Sequence, residues 1–325
     1  MKRKSIFILA FLIIVLTGWH MVMTDGSYTY TPVELPQTFD EYYQEKLKLS
    51  KELNVRPGNE ERLIRYKAKT DIAILYIHGY GASRAEGEYV IDRISKTLKA
   101  NTYYLRLPGH GTNVEEHADT EGKDHLDEAL TALKMMQLLG DKIIVVGTSM
   151  GGVAGTYLAA EYPELVDALI LSAPAYQFAQ LMPRAAGFYP LFKVITTFME
   201  RSPSEPAPEG NDFYLYWYKN GYLRALRQLY QLQAIAGNEK IFNKVTQPVM
   251  LQYYYKDKDN QDNAASVAHM QKAYKGFNNG IAHKQSRETA FTKGGHLLFS
   301  EYAYSPPDYD IVEKETLDFI NSLGW

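Results

Sequence analysis

Short apolar runs recur between residues 72 and 255, and helix-like stretches separate the first four. The runs are rich in β-branched or aromatic residues and each ends at a turn signal; they are IAILYIHG (72–79), TYYLRLPGHG (102–111), KIIVVGTS (142–149), ALILSAP (168–174) and PVMLQYYY (248–255). Buried strands that alternate with helices predict an α/β fold with a mostly parallel central sheet and helices on both faces. Ligands bind such sheets at the carboxyl ends of the strands, so functional residues are expected just after these runs.

The composition excludes several classes of binding site and catalytic residue. The chain has 325 residues, a net charge of −3 and 46% hydrophobic residues, which is typical of a globular protein. No segment combines clustered Lys and Arg with aromatic residues, so no nucleic-acid partner is expected. The absence of cysteine excludes disulfides, thiolate metal sites and a cysteine nucleophile. No H-E-x-x-H or comparable ligand cluster occurs, so we expect neither a metal nor another cofactor.

The amino-terminal residues 1–24 form a separate segment. Three basic residues precede residues 5–23, which carry no side chain that is fully charged at neutral pH and are long enough to span a bilayer. The most apolar run, residues 6–16, also has the length of a signal-peptide core, although no A-x-A-like cleavage site follows. An uncleaved membrane anchor and a cleaved signal both remain open. Either one predicts that the rest of the chain works outside the cytoplasm, membrane-anchored, secreted or periplasmic.

Residues 25–60 are expected to form a tether followed by a helix. Thr38 and Glu41 have the spacing of a capping box, and apolar residues then repeat at helical intervals until the sequence RPG at 56–58. We expect an ordinary packing role for this helix.

Ser149 lies between Gly147 and Gly151 in the sequence GTSMG. The G-x-S-x-G pattern is typical of a strained turn from a strand to a helix, which exposes the serine hydroxyl above the sheet. The flanking residues favour a strand before the serine and a helix after it. Ser149 is therefore predicted to be a nucleophile rather than a hydroxyl in a structural turn.

A serine nucleophile needs a base, and the chain has eight histidines. His296 follows a short strand-like segment and two glycines near the carboxyl terminus, which makes it the candidate base. His78 and His110 lie in glycine-flanked turns, where hydrogen bonds to the loop are the alternative interpretation. For the remaining histidines outside the amino-terminal segment a solvated side chain is expected; these are His117, His125, His269 and His283.

An acyl-transfer site also needs donors for the oxyanion. The backbone N–H of Met150 follows the predicted nucleophile directly. The loop HGYGAS (78–83) follows the first of the five apolar runs and places the amide of Tyr80 where a second donor is required.

The motifs YIHGYGAS, LRLPGHGTN, GTSMGG, ALILSAP and GGH occur in this order over residues 60–325. Together they resemble the α/β-hydrolase superfamily, in particular its branch of monoacylglycerol lipases, lysophospholipases and serine-aminopeptidase-like proteins. The resemblance implies a catalytic triad with Ser149 and His296, an oxyanion hole from the Tyr80 and Met150 amides, and a small-molecule or lipid acyl ester as substrate. It also implies a hydrolase core of residues 61–174 and 246–325, interrupted by a helical cap at 175–245.

The triad acid should lie in the loop after PVMLQYYY, where three aspartates are available. The family's acid usually follows a G-x-x-D turn, but this loop has no glycine. Asp257 is nearest to the end of the strand. Asp262 is favoured because the next helix begins near Ser266 and because its distance from His296 along the chain is closer to the spacing in the family. Asp259 is the third candidate.

The predicted cap contains fourteen aromatic residues in about 70 positions. They form a small helical core, an apolar acyl pocket, or both. The first functional hypothesis is a serine esterase or lipase, of the carboxylesterase, lysophospholipase or monoacylglycerol lipase type. The alternatives are a peptidase or thioesterase with the same triad, and a non-catalytic binding protein that has kept only the fold.

Overall fold

The computed structural model describes residues 12–21 and 26–325. Within these residues the centre of the molecule is a seven-stranded sheet with the strand order β1-β3-β2-β4-β5-β6-β7. All neighbouring strands are parallel except β1 and β3, which pair antiparallel at one edge. The strands are β1 (Arg62–Ile64), β2 (Thr70–Ile77), β3 (Asn101–Leu105), β4 (Gly140–Thr148), β5 (Ala168–Ser172), β6 (Val249–Tyr254) and β7 (Arg287–Phe291).

The sequence predicted the central strands and their parallel arrangement, and the structure confirms both. These strands are buried over most of their length because helices cover both faces of the sheet. The helices are α1 (Phe39–Glu52), α2 (Glu88–Leu98), α3 (Val114–Asp119), α4 (Gly122–Met136), α5 (Met150–Glu161), α6 (Leu181–Ala186), α7 (Tyr189–Phe198), α8 (Phe213–Tyr216), α9 (Arg227–Ala236), α10 (Glu239–Phe242), α11 (Val267–Gly276) and α12 (Tyr309–Ser322).

Two apolar clusters hold the layers together, one on each face of the sheet. The larger contains residues of α1, α4, α5, α9 and α11, and the smaller contains residues of α2 and α12. The side chains alternate between the two clusters along β2, where Leu75 belongs to the first and Tyr76 to the second, because successive residues of a strand point to opposite faces.

Helix α1 begins at the predicted capping box. Thr38 accepts a hydrogen bond from the Glu41 amide, and the Glu41 carboxylate accepts one from the Thr38 amide at 2.9 Å. The helix ends at Glu52, ahead of the RPG sequence, and buries Phe39 and Tyr42 against Tyr103 of β3.

Residues 12–21 are helical and approach α7, where the Trp19 and Tyr189 rings have centroids 5.4 Å apart. Across the described ranges 12–21 and 26–325, no helix has both the length and the apolar character needed to cross a membrane. The anchor or signal predicted for residues 1–24 lies partly outside the described residues.

Residues 175–245 lie between β5 and β6 and contain the helices α6 to α10. Helix α9 packs directly on α4 and α5, and its Leu229 and Leu232 belong to the larger apolar cluster. The short helix α8 instead packs near the loop after β2, where Trp217 contacts Ala82 and Ala85 in a third, smaller cluster. This insertion therefore has one part anchored in the core and another beside the carboxyl ends of the strands.

Candidate active site

Ser149 stands at a sharp turn between β4 and α5. Its backbone has φ 53° and ψ −116°, a conformation that is strained for a residue with a side chain. Two backbone hydrogen bonds hold the turn, from the Ser149 amide to Ser172 at 2.9 Å and from the Ala175 amide to the Ser149 carbonyl at 3.0 Å. A β-carbon at Gly151 would collide with the carbonyl oxygen of Ile77, and one at Gly147 with Gly151, so only glycine fits at these two positions of the motif.

His296 and Asp262 are hydrogen-bonded, with Nδ1 of the imidazole 2.7 Å from Oδ2 of the carboxylate. Asp262 is buried, and its other oxygen accepts the backbone amides of Ala264 at 2.8 Å and Ala265 at 2.9 Å. A carboxylate can only accept here, so Nδ1 carries the proton and Nε2 is left with a lone pair. Ser149 and His296 line the same two cavities.

The structure does not bring the other two candidate acids to His296. Asp257 is exposed and accepts hydrogen bonds from the Asn260 side chain and from nearby backbone amides. These hydrogen bonds hold the pKa of the Asp257 carboxyl below its ordinary value. Asp259 is likewise exposed in the same turn.

Two opposing effects act on the pKa of His296. Burial by itself lowers this pKa, but attraction to the negative charges of Asp262 and Glu86 outweighs burial and raises it above the ordinary value for histidine. The imidazolium form is therefore stabilised, as a general base requires once it has taken a proton.

The loop that carries the Tyr80 amide is held by two buried side chains. Oε2 of Glu86 accepts the Gly79 amide at 2.5 Å, and Nε2 of His110 accepts the Gly81 amide at 3.0 Å. The amides of Tyr80 and Met150 themselves donate to no acceptor among the described residues. Met150 follows Ser149 directly and Tyr80 lines the same two cavities, so both free N–H groups belong to the surroundings of Ser149, where a developing oxyanion would need donors.

His78 and His110 hydrogen-bond to their loops, as the alternative interpretation proposed. Nδ1 of His78 donates to the Gly79 carbonyl at 2.9 Å, and its Nε2 accepts the Leu107 amide at 3.2 Å. Nδ1 of His110 lies 2.9 Å from the Pro108 carbonyl.

The expectation that His117 and His125 are solvated is wrong. His117 is 1% exposed and His125 is fully buried, because α3 and α4 turn these side chains inward against His110. Burial is the main cause that lowers the pKa of His117 to about 3 and that of His125 to about 4, so both are neutral near pH 7. His269 and His283 are partly exposed, in agreement with the expectation.

Glu86 is the residue of this site that the sequence did not reveal. It is 2% exposed, and burial raises the pKa of its carboxyl to about 7. The only sequence signal is an acidic residue at the end of a loop of small residues, which by itself is typical of a solvated turn.

Two cavities meet at Ser149, and Tyr80, Asn263 and His296 also line both. The apolar cavity has a volume of about 270 Å³ and extends between the insertion and the loop before α11; its other walls include Phe178, Pro183, Leu226, Leu229 and Ala265. The acidic cavity has a volume of about 390 Å³; its other walls include Glu86, Glu205, Phe213, Trp217, Tyr304 and Ser305. Among the residues that the structure describes, no group of three or more His, Asp or Glu side chains is arranged to hold a metal ion.

Residues 72–193 match a family model described as the alpha/beta hydrolase fold. Among curated proteins, the chain is 26% identical over 129 residues to "Putative esterase/lipase 2" of Mycoplasma pneumoniae, covering 40% of this chain and 45% of that protein. It is 27% identical over 110 residues to the pimeloyl-[acyl-carrier protein] methyl ester esterase of Vibrio campbellii, covering 34% of this chain and 40% of that protein. The chain thus matches less than half the length of these relatives.

Two solved structures resemble most of the chain. One belongs to a study of the metagenome-derived lipolytic enzymes LipS and LipT, with a TM-score of 0.66, 20% identity, and coverage of 82% of this chain and 99% of that one. The other is a monoacylglycerol lipase of Paleococcus ferrophilus, with a TM-score of 0.61, 13% identity, and coverage of 81% and 99%. At these identities the similarity shows the fold. Together with the strand order and the match of residues 72–193 to the family model, it shows that the chain has the α/β-hydrolase fold.

Proposed function

We propose that the protein is a serine hydrolase of carboxylic esters that works through Ser149, His296 and Asp262. The observation that carries this proposal is the 2.7 Å hydrogen bond between Asp262 and His296, at cavities that also contain the strained Ser149. The esterase and lipase names of the curated relatives support the same reaction class.

The proposed reaction begins when Nε2 of His296 removes the hydroxyl proton of Ser149. The serine oxygen attacks the acyl carbon, and the amides of Tyr80 and Met150 stabilise the oxyanion that forms. Asp262 keeps the proton on Nδ1 and stabilises the imidazolium. His296 then gives its proton to the departing alcohol, and water repeats the sequence on the acyl-enzyme to release the acid.

The apolar cavity is the proposed site of the acyl chain. Its wall is formed largely by apolar side chains, and apart from His296 none of its described wall residues is charged or basic. A hydrophobic pocket beside the nucleophile favours medium acyl chains over acetyl, because each buried methylene contributes about 0.8 kcal/mol. The lysophospholipase and monoacylglycerol lipase subtypes both fit this pocket. A peptidase or thioesterase would use the same triad on another acyl donor.

We further propose that residues 1–24 attach the protein to a membrane, with the hydrolase outside the cytoplasm. The support is the basic start followed by an apolar stretch, together with apolar side chains exposed on the described part of that stretch, including Ile14 at 69% and Met21 at 67%. A full-length chain should then remain with membranes after a high-salt wash, whereas a chain that starts at Ser27 should be released and active. A mature protein whose mass begins after residue 18 would instead indicate a cleaved signal.

Labelling with a fluorophosphonate probe tests the reaction class. The probe should label the parent protein, and Ser149→Ala should abolish labelling because the nucleophile is lost. Ser305→Ala is the matched control, since Ser305 lines the acidic cavity but is not at the turn, and it should still be labelled. Labelling of Ser149→Ala, or none in the folded parent, would overturn the proposal in favour of a binding protein.

A further inference from the structure

The acidic cavity carries negative charge beside the proposed nucleophile. Two carboxylates line it, from Glu86 and Glu205, and no lysine or arginine is among its described wall residues. His296 is the one potentially cationic group in that wall, and its pairing with Asp262 neutralises it. A ligand group in this cavity therefore meets a negative potential.

Glu86 is the deeper of the two carboxylates. Its Oε2 accepts the Gly79 amide at 2.5 Å and the Tyr76 hydroxyl at 3.5 Å, whereas Oε1 has no hydrogen bond with any described residue. A β-carbon built on Gly79 would lie 2.8 Å from this Oε1 and 2.9 Å from Cβ of Ser149. The unpaired oxygen is thus close to the nucleophile, on a side chain that is 2% exposed.

A carboxylate in this position is costly without a partner. Burial raises the pKa of Glu86 to about 7, because the loss of water around the ionised form outweighs the hydrogen bonds from Gly79 and Tyr76 and the attraction to His296. An arriving cation would remove this cost, whereas a neutral or anionic group would not.

Aromatic rings also line the acidic cavity. The Phe213 and Trp217 rings are stacked at 4.2 Å and 9°, and the Tyr304 ring lies 4.9 Å from Phe213. Aromatic faces attract cations by about 0.5 to 2 kcal/mol, and most strongly where water is excluded. A buried carboxylate and an aromatic wall together are suited to an ammonium group with attached carbon.

We propose that the acidic cavity binds an ammonium group in the alcohol portion of the ester substrate, held by Glu86 and Glu205 against the rings of Phe213 and Trp217. The apolar cavity would hold the acyl chain at the same time, with the scissile bond between them at Ser149. This inference rests on the proposed ester hydrolase and names its substrate class, an ester of a cationic amino alcohol.

Two thioesters that differ only in charge provide the test. Butyrylthiocholine carries a trimethylammonium group, and 3,3-dimethylbutyl thiobutyrate carries a neutral tert-butyl group of similar shape. At pH 8, where Glu86 is ionised, kcat/KM for the cationic thioester should exceed that for the neutral one by about tenfold or more, the equivalent of about 1.4 kcal/mol.

The variants act on the ratio of the two kcat/KM values. Glu86→Gln should lower this ratio by about tenfold, because the amide oxygen can still accept the Gly79 amide but the charge is gone. Glu205→Gln should lower it less, because Glu205 is exposed. Glu209→Gln is the matched control in the same segment, since Glu209 does not line the cavity, and it should leave the ratio unchanged. Equal kcat/KM values in the parent, or a ratio unchanged in both Glu86→Gln and Glu205→Gln, would overturn the cation site.

The two proposals can fail separately. If both thioesters are hydrolysed at equal rates, the hydrolase stands and the cation site fails. If neither is hydrolysed and the fluorophosphonate does not label Ser149, the hydrolase fails. Calorimetric titration with phenyltrimethylammonium then decides the cation site by itself: binding that weakens in Glu205→Gln or Glu86→Gln supports the site, and no binding to the parent overturns it.

Discussion

Replacing His117 with phenylalanine should make the protein less sensitive to acid. The His117 ring is buried among Tyr80 at 4.9 Å, His110 at 4.6 Å and Tyr218 at 4.7 Å, and neither of its nitrogens has a hydrogen-bond partner among the described residues. Burial, with repulsion from His125 and His78, lowers the pKa of His117 to about 3. The unfolded chain, with a pKa near 6.5, takes up this proton first, so stability present above pH 6.5 is lost as the pH falls toward 3.

The size of the effect follows from the two pKa values. Between pH 7 and pH 5, one histidine that cannot be protonated in the folded state removes about 2 kcal/mol from the free energy of unfolding. His78 and His125, with pKa values of about 3 and about 4, each remove a similar amount. Glu86 acts in the opposite direction. Because its pKa in the folded state is raised to about 7, the folded protein takes up this proton first, which adds about 2 kcal/mol to the free energy of unfolding between pH 7 and pH 5. The sum over these four groups is a loss of about 4 kcal/mol, a large share of the 5 to 15 kcal/mol of a typical domain.

Urea denaturation of the parent and of His117→Phe at pH 7 and at pH 5 measures the contribution of His117 to this pH dependence. The difference in unfolding free energy between the two proteins should move by about 2 kcal/mol in favour of the variant when the pH is lowered. Tyr218→Phe is the control in the same ring cluster, since burial raises the pKa of Tyr218 and keeps it protonated at both pH values. If His117→Phe and Tyr218→Phe show the same pH dependence, the buried neutral state of His117 is refuted.

Substitutions in the site have distinct expected outcomes. Asp262→Asn should lower kcat by up to about 10⁴ because His296 loses the carboxylate that sets its tautomer, whereas Asp257→Asn should change kcat little; comparable losses in steady-state assays would contradict the geometry. Glu86→Gln should move the acid limb of kcat/KM to lower pH, because the charge of Glu86 raises the pKa of His296; a limb that stays in place would refute this electrostatic coupling. Leu229→Trp should reduce hydrolysis of p-nitrophenyl octanoate more than that of the acetate, because Leu229 lines the apolar cavity; equal reductions would place the acyl chain elsewhere.

Local sequence was sufficient to predict the five central strands of the sheet and the turn at Ser149. Strands and helices are recognised within about ten residues, because burial on both faces and the helical period leave a pattern in each segment. The glycines around Ser149 form a G-x-S-x-G pattern that is likewise recognisable from a few neighbouring residues. Strand β1 has no recognisable sequence pattern, because it has only three residues and forms its hydrogen bonds with β3 at the edge of the sheet.

Local sequence could not decide which of the three aspartates after β6 contacts His296. They have the same chemistry and lie within six residues, so only a family's spacing favoured Asp262. In the structure a bridge between Tyr255 and Gln261 closes the turn that contains Asp257 and leaves Asp262 at its base, facing His296. The choice depends on the path of the loop and on a residue 34 positions away.

Burial of polar side chains was decided by tertiary structure alone. His117 has the sequence surroundings of a solvated residue, but the insertion covers it through Gln228, which donates to its carbonyl from 111 residues away. Glu86 likewise acquires its raised pKa only because β2, its loop and the turn at Ser149 converge around it. Solvation free energy depends on every segment that packs around a group, and a local sequence pattern contains just one of them.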